Sequence, residues 1–134
     1  MPGVVDLLET LKSRSDYPFG LLTGNLREAA RIKLQAVSIH HYFSFGAYGD
    51  DHEDRNRLLP KAAERFTAAT GISANYGDFV VIGDTPLDVQ CSKPYGALSI
   101  AVCTGSYSSS SLIEAGADYV LKDLTSAINI IENL

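Results

Sequence analysis

The chain has 134 residues, 46% of them hydrophobic and 20% charged, with a net charge of −5 and a pI near 5.0. That length supports a single domain, 1–134, with its own core, and the acidic balance argues against a surface built for nucleic acid or an anionic membrane. No apolar run approaches the ~18 residues that cross a bilayer, Met1-Pro2-Gly3 leads into an amphipathic segment rather than a signal core, and Cys91 and Cys103 read as reduced, buried thiols without metal-ligand spacing, so the expectation is a soluble, cytoplasmic protein.

Val4, Val5, Leu7, Leu8 and Leu11 recur at helical spacing and predict a helix over 3–14, with Pro2 at its entrance. A strand follows over 18–23. Asn25 is the expected N-cap of a helix over 26–38, and His40 and His41 fall at that helix's end, where the dipole favours them. Tyr42-Phe43-Ser44-Phe45 alternates like a short strand that stops at Gly46. Asp50 to Asp54 is a polar loop leading to a helix that ends near Thr70-Gly71, with Pro60 in its first turn. Phe79 to Gly83 is an apolar run of the kind buried in a parallel sheet. Leu87 to Ser92 is helical and Pro94 helps to stop it. Ala97 to Cys103 is a buried strand, one of the serines after Gly105 caps a short helix, and Gly116 ends that helix. Tyr119-Val120-Leu121 is a last strand, and Thr125 or Ser126 opens the final helix. The regular alternation predicts an α/β chain with a mostly parallel sheet of about five strands and helices on both faces.

Chemistry concentrates at two strand ends. Asp84 follows Gly83 at the carboxyl end of the 79–83 strand, and Asp88 stands four residues later. Open α/β sheets bind ligands at that edge, and a carboxylate pair there suits a hard cation such as Mg²⁺. The 18–23 strand ends in Thr23-Gly24-Asn25, which offers a hydroxyl, bare backbone and an amide to an anion. Right-handed crossovers bring both ends to one rim. Simpler readings stand beside these: Thr23 as a strand former, Asn25 as a cap, Asp84 as the cap of a helix beginning near Pro86 and Asp88 as an acid in that helix's first turn. Asp50, Asp51, His52, Glu53 and Asp54 read as a solvated acidic loop rather than a metal cage. The serines at 106 and 108–111 read as a loop with a cap rather than a phosphate site.

The colinear set Leu21-Leu22-Thr23-Gly24-Asn25, Phe45 to Asp51, Glu53 to Leu58 and Gly83-Asp84-Thr85-Pro86-Leu87-Asp88, supported by Gly96-Ala97, Thr104-Gly105 and Ala115 to Asp118, resembles the haloacid dehalogenase superfamily. The likeness is to its phosphoglycolate-phosphatase-like branch of small-metabolite phosphatases. It implies a three-layer α/β/α, Rossmann-like core without a cap domain, and a Mg²⁺-dependent phosphomonoester hydrolase acting on a small phosphorylated metabolite. Residue by residue, it implies phosphate contact by Thr23 with Gly24 and Asn25, metal contact by Asp84 and Asp88, and a phosphate-stabilising cation that Arg55 matches best, with Arg57 and Lys61 as alternatives.

The same resemblance implies an Asp-x-Asp pair after a first, central strand, its first member the nucleophile and its second the acid/base. No aspartate of this chain has another two residues on. The expectation is therefore a core whose central first strand is missing and which is inactive as this isolated chain, the aspartyl-phosphate step having no nucleophile. The strands flanking the gap would close up and pair, receive a strand from a homodimer mate or another partner, or be completed by a further segment. The rival expectation is a non-catalytic phosphate-binding or protein-interaction module that associates through that exposed edge.

Overall fold

The computed structural model describes residues 3–13 and 18–134. Its elements are α1 (Val4–Ser13), β1 (Leu21–Leu22), α2 (Arg27–Ala36), β2 (Gly46–Ala47), α3 (Leu58–Thr70), β3 (Val80–Gly83), α4 (Pro86–Ser92), β4 (Leu98–Val102), α5 (Ser109–Glu114), β5 (Tyr119–Leu121) and α6 (Ala127–Glu132). Short 3-10 turns occur at His40–Tyr42, Arg55–Arg57, Tyr76–Asp78, Lys93–Tyr95 and Leu124–Ser126. Pro2, the expected helix entrance, lies outside the described residues.

The five strands form two parallel ladders, β1–β2 and β3–β4–β5. Among the described residues no ladder joins β1 to β3, so direct closure of the expected gap is not adopted. Side chains alternate across a strand, and β4 uses that alternation to hold a helical layer on each face. Ile100 and Val102 join Leu7 and Leu11 of α1 and Ala127 and Ile131 of α6. Ala101 turns the other way, onto Val89 of α4 and Leu112 of α5. This is the three-layer α/β/α arrangement. Ser99 is buried at no cost in unpaired polar groups, because the Asp118 carboxylate accepts from its N–H (2.8 Å) and its hydroxyl (3.2 Å).

The smaller ladder leans on α3. Leu22 packs against the cluster of Ala47, Leu58 and Ala62, and also against the cluster of Leu59, Val81, Cys91 and Ala97. One leucine of β1 thus ties the two ladders' cores together. Strand burial reports the topology: β4, paired on both sides, is buried from Ser99 to Val102, whereas most residues of β3 and both of β1, each paired on one side, are half-buried.

Three local expectations are corrected. The strand expected at 42–45 is displaced to Gly46–Ala47, because pairing with β1 sets the register: Leu21 donates to the Phe45 carbonyl (3.0 Å) and Thr23 to the Ala47 carbonyl (3.1 Å). The aromatic residues that suggested alternation serve as plugs instead, Phe43 edge-on to Phe19 and Phe45 to Phe66. Asn25 is not the N-cap of α2. Leu26 holds that position without a side-chain bond, and the Arg27 amide donates to Asp50 Oδ1 (2.6 Å), so a residue 23 positions away does the capping. His40 and His41 lie past the end of α2, in the 40–42 turn, where the His41 ring stacks on Tyr42. Most other boundaries fall near those expected, including Gly71 as the left-handed C-cap of α3 and Ser108 as the N-cap of α5.

Candidate functional site

Asp84 and Asp88 are placed by the end of β3 and the first turn of α4. Thr85 is the N-cap and Pro86 the first helical residue, a combination that starts a helix abruptly. Asp88 is buried and closes a capping box. Its Oδ2 accepts from the amides of Asp84 (3.1 Å) and Thr85 (3.0 Å) and from the Thr85 hydroxyl (2.9 Å). Its Oδ1 accepts from the Arg55 guanidinium in an ion pair. Gly83 is required here, since a Cβ at that position would collide with the Asp88 carboxylate.

Arg55 arrives on the 3-10 turn that precedes α3, a turn capped by the Asp54 side chain accepting from Asn56 N (3.0 Å). Tyr95 fastens the same turn by donating to the Asn56 carbonyl (2.5 Å). Of the three basic residues singled out, Arg55 is the one that reaches Asp88; Lys61 pairs at the surface with Glu64 (3.5 Å), and Arg57 lines an open cleft with Lys61, Asn75, Tyr76 and Tyr95. Arg55 Nε is buried and has no hydrogen-bond partner among the described residues. One N–H of a guanidinium already paired with Asp88 is thus buried without an acceptor, which is costly unless something accepts from it.

The two acids differ. Asp88 is committed on both oxygens. The Asp84 carboxylate has no hydrogen bond or ion pair among the described residues and is half-buried, with the backbone of Gly105 against it. Hard divalent cations take oxygen donors, and Mg²⁺ is commonly held by one or two carboxylates together with water and phosphate oxygens. Asp84 fits that donor set directly. Among the described residues no group of three or more His, Cys, Asp or Glu side chains forms a cage.

Thr23, Gly24 and Asn25 form a separate group after β1, with no direct hydrogen bond to the Asp84–Asp88–Arg55 group. Thr23 Oγ1 accepts from the Asn25 amide (3.1 Å), which leaves its own proton to donate. The Asn25 carbonyl accepts from Gly49 N (2.8 Å), so the loop after β2 braces this one.

The acidic loop is not merely solvated. Asp51 makes a two-pronged ion pair with Arg65 of α3, both bonds at 2.6 Å, and accepts from Tyr48 N (2.9 Å). Arg65 also donates to the Gly46 carbonyl (2.8 Å). The Arg65 hydrogen bonds hold the Asp51 carboxyl below the usual carboxylate range, against the opposing effect of burial. This pair has no signature in residue spacing, since 14 positions separate its members. Cys91 and Cys103 are free thiols; burial first, then the Asp88 charge, pushes Cys91 up to about 11.

An acid pair spanning the end of β3 and the start of α4, met by a cation from the turn before α3, is the local arrangement to set against known proteins. Residues 1–102 match the family described as haloacid dehalogenase-like hydrolase, and the chain belongs to it. It is 30% identical to a phosphoglycolate phosphatase of Synechococcus elongatus over 132 residues, covering 95% of this chain and 58% of that protein. It is 40% identical to 2-deoxyglucose-6-phosphate phosphatase 2 of Saccharomyces cerevisiae over 55 residues, 41% of this chain and 22% of that one. Among solved structures, a hydrolase from Pseudomonas syringae superposes with a TM-score of 0.81 at 25% identity, covering 100% of this chain and 61% of the other. A predicted phosphatase from Clostridium acetobutylicum superposes at 0.80, also at 25% identity, over 99% and 60%. The chain therefore spans about three fifths of these fuller relatives.

Proposed function

We propose that this chain forms the phosphate- and metal-holding part of a Mg²⁺-dependent phosphomonoester hydrolase acting on a small phosphorylated metabolite. The observation that carries the reading is the Asp88 carboxylate, which holds the Arg55 guanidinium on one oxygen and the Asp84 amide on the other while the Asp84 carboxylate itself is uncommitted. Asp84 would be the direct oxygen donor to Mg²⁺, and Asp88 would stand behind it, fixing Arg55 and the Asp84 amide. Arg55 and the Thr23 hydroxyl, with the Gly24 and Asn25 backbone, would hold phosphate oxygens. Bound Mg²⁺ would neutralise charge on the phosphoryl group. The likeness to sugar-phosphate and glycolate-phosphate phosphatases supports this substrate class.

The residues here supply no Asp-x-Asp pair. The expected result with this chain alone is Mg²⁺-dependent binding of inorganic phosphate by calorimetry, lost in Asp84→Asn, with no turnover of an aryl phosphate. Robust turnover would overturn the inactivity; absence of phosphate binding would overturn the site.

A second reading is favoured by the unpaired edges of β1 and β3. Among the described residues no strand pairs with these edges, and a strand edge of that kind is a template for an added strand. In this reading the chain associates with a copy of itself or with a strand-donating partner. Sedimentation run beside the calorimetry separates the two: a stable monomer at micromolar concentration removes the self-association form.

A further inference from the structure

We infer that Thr104 and Gly105, at the carboxyl end of β4, position the Asp84 carboxylate and complete its site. The inference deepens the metal reading above and rests on it for its functional consequence, though not for its geometry. Gly105 lies so close to Asp84 that a Cβ built on it would stand 2.5 Å from Asp84 Oδ2 and 3.1 Å from its Cγ. Gly105 is not in the left-handed region, so its backbone does not demand glycine; the carboxylate does. Any side chain at 105 must push the Asp84 carboxylate off its present position, a movement its rotatable side chain can make.

Thr104 adds an independent observation. Its Oγ1 is buried and has no hydrogen-bond partner among the described residues. Arg55 Nε, the other such atom among the described residues, belongs to the guanidinium paired with Asp88. An orphan hydroxyl in a folded core is a standing cost that a valine of the same shape would remove. A threonine kept there, one residue from the wall of Asp84, makes sense as a polar group reserved for what Asp84 engages. The parallel register of β3 and β4, with Gly83 opposite Ala101, brings the carboxyl ends of both strands to one rim, where the loops that follow them are neighbours.

Three variants test this, with Mg²⁺ alone as the probe and Gly77→Ala as the control, since a Cβ at 77 meets nothing nearer than 3.8 Å. In Gly105→Ala the side-chain carboxyl ¹³C resonance of Asp84 shifts and Mg²⁺ affinity falls about tenfold, the range seen when a group orienting a metal ligand is lost. Gly77→Ala does neither. Thr104→Val raises the thermal midpoint of the metal-free chain while weakening Mg²⁺ binding, and Thr104→Ser retains native affinity. An unmoved Asp84 resonance in Gly105→Ala overturns the positioning role. Native affinity in Thr104→Val overturns the role of the hydroxyl. If the native chain binds no Mg²⁺, the metal reading falls and with it the role of Thr104, while the Asp84 resonance still decides the role of Gly105. Should Gly105→Ala not fold, the Thr104 pair decides alone.

Discussion

The two ladders are held by different forces. The β3–β4–β5 ladder is an apolar sandwich: Ile100 and Val102 on one face, Ala101, Val89 and Leu112 on the other, all 1% exposed or less. The β1–β2 ladder is two residues long and is tied down by polar links: Arg65 to Asp51 and to the Gly46 carbonyl, Asp50 to the start of α2, and Gly49 to the Asn25 carbonyl. Burial of apolar area does not depend on pH, whereas an ion pair does. The molecule thus carries its acids on a half held by apolar packing and its Thr23 loop on a half where polar links supplement a small apolar cluster of Ala47, Leu58 and Ala62.

The sharpest way to break this contrast is to cut equal side chains from the two halves. Leu112→Ala, at a fully buried site in the β3–β4–β5 half, should cost about 2–5 kcal/mol in urea unfolding. Leu22→Ala, half-buried beside the short ladder, should cost clearly less. Equal costs would show that the two halves share one core with no such division.

A smaller effect is expected from Asp51→Asn, about 1–3 kcal/mol at pH 7, because Arg65 keeps its burial and loses its charged partner. Arg65 holds the folded-state pKa of Asp51 below its unfolded value. Its stabilising contribution is therefore complete above the unfolded carboxylate value and is lost as pH falls through the depressed one. The difference between native and Asp51→Asn chains should shrink below about pH 4; a difference that persists in acid would assign the stability to packing instead.

The smallest signal is chemical. Cys91, in the half held by apolar packing and pushed up to about 11, should resist alkylation at pH 8 in the folded chain, and half-buried Cys103 should react first. Rapid modification of Cys91 would mean that α4 opens readily.

Much of the fold was legible because its signals are local. Gly71, Gly116 and a serine cap before α5 are backbone requirements confined to a few residues, and the apolar runs at 79–83 and 97–103 announce strands buried on both faces; the cap considered at Asp84 falls one residue later, on Thr85. The misplaced strand at 42–45 shows the limit: alternation in Tyr42 to Phe45 was real, but the two-residue pairing with β1 chose the register. Of the site, the residue types at 23–25 and 84–88 could be read, and Arg55 could be ranked ahead of Arg57 and Lys61. Its bond to Asp88 spans 33 positions and has no signature in spacing.

By itself the sequence determined the strand–helix order, the acid pair at the end of β3 and the lack of an Asp-x-Asp, since each depends on neighbours along the chain. Only the tertiary structure decided that Asp88 is spent on Arg55 and the helix cap while Asp84 is left open, that Asp50 caps a helix it does not belong to, and that among the described residues no ladder joins β1 to β3. These are outcomes of which distant groups come within bonding distance, and that distance is set by how the layers pack.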